Sequence, residues 1–183
     1  MAQPEFFSGK TLYPFIGALL ALSALFGLVI MPRLGQGSRF IDRPAPDFEL
    51  PVVANGAADT SRVRLSQLKD KVVILDFWAT WCGPCGQQAP ILDRLARKYD
   101  SEVVVLGINV GETPQTAANY ARTKGLSYPI LVDPEGSAQE AYEATALPTV
   151  VMIDKKGNIV TFNRGVVRQA ELERALKDLR ERS

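Results

Sequence analysis

The feature that most constrains this chain is an alternation of short apolar runs with helical stretches, which begins at Asp47. The runs are rich in Val and Ile and predict β-strands over residues 72–78, 103–109, 128–133, 149–154 and 158–164. The stretches that follow them predict helices over residues 82–99, 114–124, 137–142 and 169–182. The first two runs are apolar on both faces, as in a sheet covered by helices. The sequence therefore predicts one α/β domain with a mixed sheet.

Three shorter segments extend this prediction. The turn KKGN at residues 155–158 predicts a hairpin between the last two strands. Residues 48–51 and 63–68 are expected to add either a hairpin at the edge of the sheet or an extension of it.

The amino-terminal segment of residues 13–31 contains nineteen residues and no charge. A helix of that length rises about 28 Å, close to the hydrocarbon thickness of a bilayer. This favours an uncleaved transmembrane anchor. A cleaved signal peptide usually has a shorter apolar region, and a buried core helix would have a polar face, but both remain alternatives. We predict a short segment at residues 1–12, an anchor in the lipid bilayer at 13–31, a tether at 32–44 and a folded domain at 45–183.

Composition excludes several classes of function. None of the 183 residues is histidine, which excludes Ser/His and Cys/His catalysis and His-ligated metals or haem. Two cysteines are too few for a secreted disulfide scaffold. The 21 basic and 20 acidic residues nearly cancel, so no net charge attracts nucleic acid. We expect no metal, no cofactor beyond the cysteine pair itself, and no nucleic-acid partner.

The two cysteines, Cys82 and Cys85, lie in WATWCGPCGQQAP, between a predicted strand and a predicted helix. The N-terminus of a helix has unpaired amides and a positive partial charge, which stabilise a thiolate on Cys82. Pro84 suits the first helical turn. We hypothesise that Cys82 attacks a substrate disulfide and that Cys85 then resolves the mixed disulfide. Half of a zinc site and a purely structural disulfide are the alternatives.

Two segments together resemble the thioredoxin family. Residues 73–99 are similar to its active-site strand, cysteine motif and kinked helix, and ALPT at residues 146–149 resembles its cis-proline loop. The resemblance implies a thioredoxin-like fold with a cis bond before Pro148. It also implies a substrate-binding surface formed by Trp81, Gly83, Pro84, Leu147 and Pro148.

More narrowly, the chain resembles the membrane-anchored branch that includes TlpA, ResA and the cytochrome c maturation thioredoxins. PAPDFELP at residues 44–51 is similar to the N-terminal extension of this branch, and INVGET at 108–113 resembles a ResA segment whose glutamate reaches the active site. The resemblance implies a single-pass protein of the cell membrane whose domain lies on the periplasmic or outer side. It would reduce disulfides of exported proteins, apocytochrome c among them, with electrons from a membrane thiol donor of the CcdA or DsbD type.

Two acidic residues are candidates for the same site. Asp76 is the only polar residue of the run at 72–78, so burial should raise its pKa by desolvation. Thioredoxins have an aspartate at the matching position, which implies that Asp76 accepts the Cys85 proton. The alternative is a solvated aspartate at a strand edge. Glu112 is predicted either to tune the cysteines and help to recognise substrate, or only to sit favourably near a helix N-terminus.

Other functions remain open. Arg33, Arg39 and Arg43 follow the apolar segment, and the positive-inside rule then favours a general thioredoxin that faces the cytoplasm. PAPDFELP also resembles the start of peroxiredoxins, but Ala79 stands where a peroxidatic site needs threonine. A non-enzymatic, redox-switched binding protein is a further alternative.

Overall fold

The computed structural model describes residues 9–25, 39–57 and 60–181. The chain forms two units, Met1–Arg39 and Phe40–Ser183. The first contains helix α1, Gly9–Leu25. Among the described residues, no helix combines the length and the apolar character needed to cross a membrane. Parts of the predicted anchor and tether, residues 26–31 and 32–38, and residues 1–8 of the predicted N-terminal segment lie outside the described residues.

All the other described elements belong to the second unit. Its strands are β1 (Glu49–Ala54), β2 (Arg62–Arg64), β3 (Val72–Trp78), β4 (Val103–Val110), β5 (Ile130–Asp133), β6 (Thr149–Ile153) and β7 (Ile159–Arg164). Its α-helices are α2 (Gly83–Lys98), α3 (Pro114–Lys124), α4 (Ser137–Ala141) and α5 (Gln169–Glu181). The predicted strands and helices are confirmed to within two residues at each end. The two segments expected at the sheet edge differ more: β1 continues three residues past the predicted end, to Ala54, and the segment at 63–68 ends early because Leu65–Gln67 forms a 3₁₀ turn.

The strands form one mixed sheet in the order β2-β1-β5-β4-β3-β6-β7. β3 pairs in parallel with β4 and antiparallel with β6, so it lies inside the sheet. Every residue of β3 is buried, as its apolar sequence predicts for a strand covered on both faces. β6 and β7 form the predicted antiparallel hairpin, and β1 and β2 form the predicted one at the edge. The α/β fold with a mixed sheet is therefore confirmed.

Helix α2 begins directly after the loop that follows β3. Cys82 is its N-cap, Pro84 lies in its first turn, and Arg97 and Lys98 lie in its last turn, where positive charge complements the helix dipole. Its buried residues recur with a spacing of three or four, which produces one stripe facing the core. They are Cys85, Gln88, Ala89, Leu92 and Leu95. This stripe fixes which way the start of the helix faces.

Residues 40–46 pack against the sheet of the second unit. The Phe40 ring stacks on Phe162 with centroids 5.2 Å apart, and the Asp42 backbone N–H donates to the Ile159 carbonyl at 2.8 Å. The Tyr142 hydroxyl donates to the Pro46 carbonyl at 2.8 Å, and burial raises the pKa of this phenol. Residues 40–44, which the sequence assigns to the tether, therefore make tertiary contacts.

Candidate active site

The two cysteines form a disulfide at the N-terminus of α2, with their Cα atoms 5.3 Å apart. The Cys82 Sγ accepts a hydrogen bond of 3.2 Å from the Cys85 backbone N–H, as an N-cap side chain does. Cys82 is 6% exposed and Cys85 is 2% exposed. After reduction, the same amide and the helix dipole would stabilise a thiolate on Cys82. The structure thus provides the environment that the proposed nucleophile needs.

An open groove of about 570 Å³ lies beside Cys82. It is lined by Trp81, Cys82, Gly83, Pro84, Val110, Gly111, Gln139, Thr145 and Leu147. None of these side chains carries a charge, and Trp81 is 73% exposed. The structure therefore brings four of the five predicted substrate-binding residues into one groove with Cys82. Their role in binding substrate stays a prediction.

The fifth residue, Pro148, follows Leu147 through a cis peptide bond, as the resemblance implies. Its carbonyl accepts the Gly165 backbone N–H at 2.7 Å. Two residues further along, the Val167 backbone N–H donates at 2.7 Å to the Oε1 atom of Gln88, a fully buried residue of α2. Residues 165–167 therefore connect the cis-proline loop to the helix that carries the cysteines.

Asp76 is 1% exposed in the centre of β3. Burial raises its pKa from the ordinary value of 3.8 to about 7, because desolvation disfavours the charged carboxylate. Its Oδ1 atom has no hydrogen-bond partner among the described residues. The predicted burial and raised pKa are confirmed, and the solvated alternative is wrong. Its role as the proton acceptor of Cys85 stays a prediction.

The Glu112 carboxylate is bound to the loop that leads into the cysteine motif. Its Oε2 accepts the Thr80 backbone N–H at 2.8 Å and the Asn109 side-chain amide at 2.7 Å, while its Oε1 accepts the Thr80 hydroxyl. Thr113, not Glu112, caps helix α3. Glu112 therefore holds a residue that lies two positions before Cys82. An effect on the cysteines themselves stays a prediction.

Several residues near the site were not predicted from the sequence: Thr80, Gln88, Asn109, Tyr120, Gln139 and Thr145. Asn109 could have been predicted, because it is a polar residue at the end of an apolar run. Asp76, which was predicted, is likewise a polar residue in an apolar run. The others lie in helices or loops, where polar residues are common. Among the described residues, no group of three or more Cys, Asp or Glu side chains is arranged to hold a metal ion.

The fold and the cysteine pair define a thiol-disulfide oxidoreductase of the thioredoxin fold. Comparison with known proteins supports this class, because the model of the AhpC/TSA family matches residues 41–162. That match spans more than half of the chain, and the chain belongs to this family. The predicted family and enzyme class are therefore confirmed.

Individual relatives agree with this assignment. The thiol-disulfide oxidoreductase ResA of Geobacillus kaustophilus is 34% identical over 165 residues, which cover 88% of this chain and 92% of that protein. ResA of Bacillus subtilis is 31% identical over 157 residues, covering 84% and 85%. The crystal structure of the exposed lipoprotein thioredoxin Etrx1 of Streptococcus pneumoniae superposes with a TM-score of 0.64 at 32% identity, covering 73% of this chain and 100% of that one.

Proposed function

We propose that this protein is a membrane-anchored dithiol reductant that acts outside the cytoplasm on disulfides of exported proteins, with apocytochrome c as the candidate substrate. The observation that carries the proposal is the position of Cys82 at the N-terminus of α2, facing an uncharged groove. Such a groove suits a peptide segment that brings a disulfide to Cys82. The Gly83-Pro84 pair also matches the dipeptide of thioredoxin, a reductant.

In the proposed reaction the Cys82 thiolate attacks one sulfur of the substrate disulfide. The substrate S–S bond breaks, a mixed disulfide forms, and the second substrate sulfur leaves as a thiolate that takes up a proton. Asp76 then accepts the Cys85 proton, and the Cys85 thiolate attacks Cys82 and releases the first substrate sulfur. The substrate gains two electrons, and the enzyme ends with the disulfide seen here. A membrane thiol donor of the CcdA or DsbD type would return it to the dithiol.

The proposed location depends on the uncharged residues 13–31, which would anchor the chain in the cell membrane as a single span. The resemblance of PAPDFELP to an extracytoplasmic extension supports an outward domain, as does the description of Etrx1 as an exposed lipoprotein. A second candidate is a thioredoxin that faces the cytoplasm. Arg33, Arg39 and Arg43 favour it, because basic residues after a span tend to stay inside.

The test is to trap mixed disulfides in growing cells with full-length Cys85→Ser, which cannot resolve them. We expect exported proteins that contain cysteine pairs to be captured, together with a membrane thiol donor. Full-length Cys82→Ser is the matched control and should capture neither. Capture of cytoplasmic proteins alone would contradict the outward location, and equal capture by both variants would contradict the role of Cys82.

A second measurement reads the orientation directly. A membrane-impermeant alkylating reagent, applied to intact cells after mild reduction, should label Cys82 if the domain faces outward. Protection in intact cells with labelling after lysis would instead support the cytoplasmic candidate.

A further inference from the structure

Two buried polar atoms lie on one face of β3. Asp76 and Trp78 are 1% and 3% exposed, and neither the Asp76 Oδ1 nor the Trp78 Nε1 has a hydrogen-bond partner in the described part of the chain. Because the two residues are separated by one position in a strand, their side chains project from the same face of the sheet. One atom accepts hydrogen bonds and the other donates them. Buried polar atoms are normally paired, so this combination calls for an explanation.

Gly107 on β4 lies beside both groups. It is the register partner of Asp76 in the parallel β3–β4 ladder, about 4.8 Å away. A Cβ atom placed on Gly107 would lie 3.1 Å from the Trp78 Nε1 and 2.9 Å from the Tyr128 ring. The indole nitrogen therefore lies above Gly107. Asp76 is the residue directly opposite Gly107 on β3. Any larger residue at 107 would press on the indole nitrogen, the Tyr128 ring and the Ile130 side chain.

We propose that Trp78 is a positioning residue for Asp76, and that its indole N–H donates a hydrogen bond to the Asp76 carboxylate when that group is charged. A charge buried at this depth is tolerated only when donors compensate for the lost water. The hydrogen bond favours the charged form and therefore lowers the pKa of Asp76 below the value that burial alone would set. The consequence for catalysis rests on the proposed function, since Asp76 would receive the Cys85 proton there. The proposed hydrogen bond itself does not depend on that function.

The titratable groups coupled to Asp76 are two tyrosines from other elements. The Tyr120 ring of α3 packs at a tilt against Trp78 with centroids 5.0 Å apart, and Tyr128 precedes β5. Burial, followed by the Asp76 charge, raises the pKa of both phenols, so both stay neutral near pH 7. Helix α2 contributes Cys85, which is held in the disulfide. Tyr128 carries a neutral hydroxyl that feels the Asp76 charge, and this hydroxyl can be removed separately.

The experiment follows the full-length disulfide form by NMR between pH 5 and 9, without substrate. We expect the Trp78 indole N–H resonance to titrate with the Asp76 carboxyl, at a midpoint below the pKa of about 7 that burial alone sets, and to stop responding in Asp76→Asn. In Trp78→Phe, which keeps an aromatic ring against Tyr120, the midpoint of the Asp76 carboxyl carbon should rise by about one pH unit. Tyr128→Phe is the matched control and should leave that midpoint unchanged.

Two results would overturn the inference. One is a wild-type indole resonance whose chemical shift does not change as Asp76 titrates. This measurement requires no substitution at Trp78. The other is an equal Asp76 midpoint in wild type and Trp78→Phe. Since no substrate is present, these results are independent of the proposed function. A protein that meets both expectations but fails to reduce disulfides would contradict the proposed function and still support the proposed hydrogen bond.

Discussion

The buried carboxyl of Asp76 makes the stability of this protein depend on pH in an unusual direction. Its pKa is about 7 in the folded chain, against an ordinary value of 3.8 that applies to the unfolded chain. Between these two values the folded state holds a proton that the unfolded state has lost. Stability therefore falls as the pH rises through this window, and it levels off above about pH 7. At about 1.4 kcal/mol for each unit of pKa, the loss amounts to about 4 kcal/mol.

Asp76→Asn removes the titration while keeping the size of the side chain. We expect the variant to gain stability relative to wild type as the pH rises, and the gain between pH 4 and pH 8 to approach about 4 kcal/mol. The assay is urea unfolding of the full-length disulfide form at several pH values, with unfolding free energies compared at each. Asp100→Asn, which changes an exposed carboxylate, is the matched control and should show the pH dependence of wild type.

One result of the urea unfolding experiment would contradict the raised pKa of Asp76. If the stabilities of wild type and Asp76→Asn differ by a constant amount across this range, the carboxyl of Asp76 does not resist ionisation in the folded chain. The desolvation argument would then be wrong, and so would the role of Asp76 as a proton acceptor near neutral pH.

Two further substitutions test single contacts by urea unfolding at pH 7. Glu112→Gln removes the charged acceptor of Thr80 and should lower the unfolding free energy by about 1–2 kcal/mol. Glu135→Gln, on the surface, is the control and should leave the unfolding free energy unchanged. Equal effects of the two substitutions would mean that the Glu112–Thr80 hydrogen bonds do not stabilise the fold. Tyr142→Phe removes only the hydroxyl that donates to Pro46 and should cost about 1 kcal/mol, and an unchanged stability would mean that this hydrogen bond contributes nothing.

Local patterns in the sequence were sufficient for the elements that build the site. β3 was predicted with its observed ends, because every one of its positions is buried and its run is apolar. The start of α2 was predicted because the Cys82 and Pro84 positions follow local capping rules. The burial of Asp76 followed from its position in the same apolar run.

Contacts that depend on register could not be predicted. Glu112 meets Thr80 because β3 and β4 pair with Trp78 opposite Asn109, which brings the loops after the two strands together. No local property of either segment encodes that alignment. The antiparallel pairing of β1 with β5 is non-local in the same way, and their residues Val52 and Leu131 are far apart in the sequence.

The segment at residues 165–167 has a consequence for how substrates would bind. Gly165 holds the Pro148 carbonyl and Val167 holds the Gln88 side chain, so one short stretch of backbone connects the helix on one side of the groove with the loop on the other. Two residues of chain extend about 7 Å at most, so covalent geometry limits how far these attachments can separate. The groove is thus preorganised during folding. When a substrate binds in the groove, the entropy cost of ordering therefore falls mainly on the substrate, because the enzyme side of the complex is already ordered.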